Sequence, residues 1–256
     1  MESRPVFVKY PEIPHLMEVP EILDEDCLEI YEKLDGGNCQ VRNYSGRIFT
    51  GSRANFLNRE EYFRFPWPKT FNKWAKSNHS FYNLPENLIV FGEFMAFHTL
   101  RYKPEFTDRF FLTDVYDLSP QRFIPYDVVR SGLEKDLGIE DILFLEALAK
   151  GGANMPKIKE LVMGESQYSD YGREGVVIKD YHHQNFAKLW RTSVNRTKEG
   201  LIEEINKTIL SLQNTTPPIV TGHLSLMVYE ELKRSGRKEI SLAEISETIK
   251  RVTDKI

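Results

Sequence analysis

The chain has 256 residues, 41% of them hydrophobic, enough to build one large domain with or without a small appendage. Its formal net charge of −4 excludes a molecule that is basic all over, so any nucleic-acid contact must use a local patch. Two cysteines, Cys27 and Cys39, supply neither a disulfide framework nor a zinc pattern, the N-terminus MESRPVFVKYPEIPHL lacks the apolar run of a signal peptide, and no stretch approaches transmembrane length, so a soluble, intracellular (cytoplasmic) protein with no membrane partner is expected.

In chain order, residues 27–33 (CLEIYEK) and 39–43 (CQVRN) alternate apolar and polar side chains, and Ser45-Gly46 turns the chain into Arg47-Ile48-Phe49-Thr50-Gly51. This predicts antiparallel strands joined by a hairpin. A helix is expected from Lys69 to about Ser80, then strands at 88–94 (LIVFGEF) and 110–116. Residues 127–163, including Ile142-Leu143-Phe144-Leu145-Glu146-Ala147-Leu148, read as helical. A strand at 175–179 (GVVIK) and a short run at 185–191 complete the first part. Strands and helices mix without regular alternation, which favours an α+β fold over a doubly wound sheet. After Arg196 only amphipathic helical patterns remain, near 198–212, 222–235 and 241–253, so the chain divides into a domain at 1–196 and a small helical C-terminal appendage at 197–256.

Five segments carry chemistry-bearing residues. Lys33-Leu34-Asp35-Gly36 sets a lysine and a carboxylate beside the pair Gly36-Gly37. A lysine becomes a nucleophile when its amine loses the proton, which burial or neighbouring positive charge favours, and glycines let the backbone approach a phosphate or sugar. Alone the segment reads as a charged turn. Gly51-Ser52-Arg53 offers a guanidinium fork for phosphate. Gly92-Glu93-Phe94 ends an apolar strand with a carboxylate suited to a ribose hydroxyl or a hydrated metal; alone, it equally reads as a sheet-rim charge. Glu174 opens the strand that Lys179 closes, and an isolated glutamate of this kind suits a magnesium site completed by substrate phosphates. Phe186-Ala187-Lys188-Leu189-Trp190-Arg191 is basic and aromatic, the pattern of a phosphate-contacting strand or of an edge strand with protective charge. The aromatic run 62–67 and the basic residues Lys207, Lys233, Arg234, Arg237 and Lys238 read more plainly as packing and as solvated helix faces. His182-His183 reads as a polar turn, since a metal role needs a third ligand at suitable spacing.

In order and spacing these segments resemble the motifs of the covalent nucleotidyltransferase superfamily of ligases and capping enzymes. Glu32-Lys33 followed by Gly36-Gly37-Asn38 is most similar to the ATP-dependent RNA ligases of the phage RNA ligase 2 type. The resemblance spans residues 31–191 and implies an antiparallel-sheet nucleotidyltransferase (adenylyltransferase) domain. It also implies a three-step reaction: Lys33 takes AMP from ATP, AMP passes to a 5′-phosphate end, and a 3′-hydroxyl displaces it. The implied partners are ATP, Mg²⁺ with Mn²⁺ as the alternative, and RNA as nicked duplex or single-stranded ends, in end joining or repair.

By the same resemblance Lys33 is the nucleophile, Lys179 and Lys188 contact the α-phosphate, Glu174 holds the metal, Glu93 the ribose and Arg53 a phosphate. Glu32 and Asn38 belong to the nucleotide site, and Asn38 helps orient the end. Positive charge from Lys179, Lys188 and the metal is expected to depress the Lys33 pKa. In the segment 110–117 (FFLTDVYD) two registers place either Thr113 or Tyr116 against the purine; Tyr116 is chosen because only it can stack. The sequence departs from the family at Trp190, where a second lysine is usual. The alternatives are a DNA ligase, a capping-type enzyme, or a non-catalytic nucleotide- or nucleic-acid-binding module. Against the first two stands the lack of strand-like sequence for an OB-fold after Arg191.

Overall fold

The computed structural model describes residues 5–57, 67–96, 100, 102–136, 138–139, 141–170 and 172–191; the expected helical appendage and most of the aromatic run lie outside them. Ten strands are described: β1 (Glu29–Lys33), β2 (Gly37–Tyr44), β3 (Arg47–Ser52), β4 (Leu88–Phe94), β5 (Phe110–Asp117), β6 (Arg122–Phe123), β7 (Ile142–Phe144), β8 (Ala147–Lys150), β9 (Gly175–Asp180) and β10 (Asn185–Trp190). Three α-helices accompany them, α1 (Trp67–Ser77), α2 (Tyr126–Ser131) and α3 (Met155–Met163). The chain divides into two compact units, Met1–Leu189 and Trp190–Ile256, and the architecture below is that of the first.

Two sheets form its frame, one in the order β10-β9-β1-β8, the other β3-β2-β4-β5-β6 with β7 lying parallel beside β5. Every other register resolved between named strands is antiparallel, as α+β predicts. The β2–β3 hairpin closes where Ser45 and Gly46 both take positive φ, 50° and 68°, the backbone of a two-residue turn whose twist matches its strands. β4 runs between β2 and β5 with Ile89, Val90, Phe91 and Phe94 all buried, so its apolar run needs no alternation.

Helix α1 buries Phe71 and Ala75, one turn apart, along with Asn72, whose Oδ1 accepts from Thr50 Oγ1 at 2.7 Å and fixes the helix to β3. Phe71 packs near-parallel to Phe110 at 6.0 Å and tilted against Phe94 at 5.4 Å. The helix stops at Ser77, short of the expected Ser80, because Asn78 takes extended backbone and its side chain caps the following 3₁₀ turn.

The expected helix through 142–148 is absent. Ile142–Phe144 pairs with β5 and Ala147–Lys150 with β1, each occupying a sheet edge. Leu- and Ala-rich sequence has high helix propensity, yet completing a ladder outweighs a few tenths of a kcal/mol per residue, about what propensity contributes. Helix α3, within the same span, forms where Asn154 caps Lys157 N at 3.0 Å and Pro156 occupies the first turn.

Candidate active site

Strand pairing assembles the site. β1 and β9 run antiparallel with Lys33 opposite Gly175, so the residue before that glycine, Glu174, meets Lys33, and both carboxylate oxygens lie 2.7 Å from Lys33 Nζ. In the other sheet β2 and β4 place Asn38 opposite Glu93, and Asn38 Nδ2 donates to Glu93 Oε1 at 3.4 Å. β4 and β5 slip register between Phe91 and Gly92: Phe91 faces Asp114 and Gly92 faces Leu112, leaving Thr113 as the extra residue of a bulge. Bulges re-aim side chains. Gly92 is required there, since a Cβ would come within 2.3 Å of the Phe110 ring and the Phe111 carbonyl.

One cleft is lined from the first sheet by Glu32, Lys33, Lys179 and Lys188, and from the second by Asn38, Glu93 and Thr113, with Arg53 just beyond β3. Seven of the nine residues singled out in the sequence therefore line a single cleft, and the eighth, Glu174, is bound to Lys33. Tyr116 is not among them. Three residues past Thr113, about 10 Å farther along the strand, it packs edge-on against Phe123 at 5.1 Å and lines a different groove, so the register that puts Thr113 in the cleft is the one adopted. The glycines also act differently from the expectation. A Cβ at Gly36 would meet Met95 Sδ at 2.8 Å and one at Gly37 the Trp67 ring at 2.9 Å, so both serve close packing of the turn. Asp35 likewise secures that turn: its amide donates to Tyr102 Oη at 2.8 Å and its Oδ2 accepts from Leu100 N at 3.1 Å.

The electrostatics reverse one expectation. Burial by itself lowers the Lys33 pKa, but the Glu174 carboxylate, with Asp35 and Glu93 behind it, outweighs burial and holds the ammonium above the ordinary lysine range. Lys179, one of the positive neighbours expected to act on Lys33, is itself ion-paired. Lys179 is buried, 2% exposed; its ammonium donates to Asp114 Oδ1 at 2.8 Å and to the Thr113 carbonyl at 2.6 Å, and Asp114 also accepts from Tyr10 at 2.5 Å and Tyr181 at 3.0 Å. Lys179 thus ties β9 to β5, its ammonium ion-paired with Asp114 while the residue lines the cleft. Burial pushes the Glu93 carboxyl up to about 8 against the opposing pull of Lys33, Asn38 and Arg53. Burial also raises the Glu32 pKa, although Ser166, Gln167 N and Arg173 hold its carboxylate and lower it in part.

Sequence motifs pointed to neither Tyr10 nor Ile13, both in the cleft wall. They arrive there because Lys188 N donates to Pro14 O and Leu16 N to Lys188 O, laying the N-terminal segment along β10. Asp114 was not singled out either, although it lies in the segment 110–117 in which Thr113 and Tyr116 were weighed. A ligand fits this wall: Asn38 Oδ1 is buried with no hydrogen-bond partner among the described residues, an arrangement that costs about 1–3 kcal/mol unless a bound group satisfies it. The oxygen-only carboxylates Glu174 and Glu93 suit Mg²⁺ or Mn²⁺.

The solved structures similar to this fold include a point mutant of Naegleria gruberi RNA ligase with ATP and Mn (19% identity, TM-score 0.59, covering 76% of this chain and 60% of that one). A second mutant of that ligase with AMP and Mn gives 17% identity and a TM-score of 0.59, covering 77% and 60%. The same ligase with PPi gives 18% and 0.57, covering 77% and 59%. The chain thus spans about 60% of the length of these relatives. No curated protein matches it. The RNA ligase family profile matches residues 27–198, two thirds of the sequence and the whole of the motif region, and the chain belongs to the RNA ligase family.

Proposed function

We propose that this chain is an ATP-dependent RNA ligase that forms a lysyl-AMP intermediate on Lys33 and joins 5′-phosphate to 3′-hydroxyl RNA ends. The observation that carries the reading is Lys33 at the end of β1, held by Glu174 at 2.7 Å in a cleft whose other polar groups are Glu32, Asn38, Arg53, Glu93, Lys179 and Lys188. The solved relatives' ATP, AMP and Mn support it.

A divalent cation, when bound, neutralises charge on the reacting phosphate oxygens. Glu174 is the carboxylate that would hold it, and a Glu174 so engaged would no longer hold the Lys33 ammonium. Burial then favours the neutral amine, the effect already opposed by Glu174 in the paired state. Once the ammonium has given up one proton to solvent, Lys33 Nζ attacks the α-phosphorus in line: the P–N bond forms, the P–O bond to pyrophosphate breaks, and the second proton leaves the nitrogen to solvent or to the departing pyrophosphate. Lys188 and Arg53 supply positive charge to the phosphates, while Glu93 meets a ribose hydroxyl and Asn38 Oδ1 gains its missing donor. Lys179 and Asp114 hold the wall in register. Catalysis here is positioning and charge neutralisation. The reading includes an intracellular, reducing setting, where the exposed Cys27 stays a thiol.

Full-length protein with Mg²⁺ or Mn²⁺ and α-labelled ATP, given nicked duplex or single-stranded RNA bearing a 5′-phosphate, should become labelled and then join the RNA. Joining of DNA alone, or labelling from GTP alone, would replace the substrate assignment. No labelling with any nucleotide would leave the fold as a binding module.

A further inference from the structure

At the far end of β9 from Glu174, on the turn into β10, Asp180 and His183 meet Glu25 from the N-terminal segment. His183 Nδ1 lies 2.7 Å from Asp180 Oδ2 and 3.3 Å from Glu25 Oε2, and the three ligand atoms all fall within 4.8 Å of one another. We propose that these residues form a second divalent-cation site, of the zinc class and separate from the cleft.

Three features favour it. Asp180 is 1% exposed, and its Oδ1 accepts from His182 N at 2.9 Å and His183 N at 3.2 Å, so the turn itself fixes the carboxylate and presents Oδ2. Such outer hydrogen bonds are what orient metal ligands. Tetrahedral zinc with ligands near 2.1 Å sets them about 3.4 Å apart, inside the range found here. Two carboxylates and a neutral imidazole balance the charge of a dication, and imidazole selects zinc-like ions over Mg²⁺. Side chains of Glu25 and His183 are 38% and 48% exposed, leaving a coordination position open to water. Loaded, the site would clasp the 3₁₀ turn Pro20–Asp24, which Glu25 caps, to the β9–β10 turn, on the segment that carries Tyr10 and Ile13 into the cleft.

The test is Zn²⁺ titration of untagged, chelator-treated full-length protein by calorimetry, in excess Mg²⁺, with thermal melting alongside. One Zn²⁺ per chain is expected, with a higher melting temperature. Affinity should fall at least tenfold in His183→Ala and in Glu25→Gln, and stay unchanged in Glu174→Gln. Both weakened variants alter exposed side chains, and melting without metal checks their folding; loss of affinity in either folded variant supports the site. Absence of zinc binding, unchanged affinity in both variants, or loss confined to Glu174→Gln would overturn it and leave the cluster as a histidine–carboxylate pairing.

Discussion

Replacing Lys179 by Met separates two roles for this residue, phosphate ligand and internal brace. With Nζ 2.8 Å from Asp114 Oδ1, both groups essentially unexposed, the Coulomb attraction is about 6 kcal/mol at an effective dielectric of 20, before desolvation is set against it. Lys179→Met leaves Asp114 buried with only the Tyr10 and Tyr181 hydroxyls as donors, and Asp114→Asn leaves the ammonium without its counter-charge. Each single change should cost about 3–5 kcal/mol. The double variant Lys179→Met/Asp114→Asn should recover at least half of the summed loss, because no charge remains unpaired and the amide oxygen still accepts from the tyrosines. Urea denaturation of the four proteins completes the cycle, read as midpoints at constant slope. A Lys179→Met variant that kept wild-type stability while losing adenylylation would refute the brace and restore the phosphate role.

Glu174→Ala should lower formation of the enzyme-AMP at least a hundredfold while costing less than about 1 kcal/mol, since both partners of the Lys33 pair are partly exposed; labelling and melting measured together check this, and loss of activity that merely follows unfolding would contradict it. Glu93 gives a pH prediction. Its folded pKa, about 8, lies above the unfolded value near 4.3, so its contribution to stability is complete below pH ~4.3 and is lost as pH rises through about 8. Glu93→Gln should therefore gain stability over wild type from pH 5 to 8 and hold that difference above, in metal-free melts; parallel curves would remove the assignment.

The motif residues were legible because their identity and spacing survive in sequence, and the hairpin was legible because Ser45-Gly46 is a turn signal of local origin. What escaped depends on pairing across the chain. A bulge at Thr113 cannot be read from period-2 alternation, and without it Tyr116 is the more attractive aromatic. The run 142–150 carries helical propensity but fills two sheet edges. Tyr10 and Ile13 enter the cleft through main-chain bonds from Pro14 and Leu16 to Lys188, which no side-chain pattern announces. The pair Lys179–Asp114 was hidden for the same reason: Lys179 looked available until the sheets brought it to Asp114. Glu25, lying 158 residues before His183, could not be matched to it by spacing.

The most direct test of the central claim is to incubate the full-length protein with Mg²⁺ and α-labelled ATP, digest it and map the labelled peptide. The label should sit on Lys33, as an acid-labile, base-stable P–N linkage, and both Lys33→Ala and Lys33→Arg should carry none, since a guanidinium stays protonated and cannot attack. Lys33→Ala should still seal a pre-adenylylated strand, because that step does not use the lysine as nucleophile. Label on any other residue, or covalent AMP persisting in Lys33→Ala, would contradict the account.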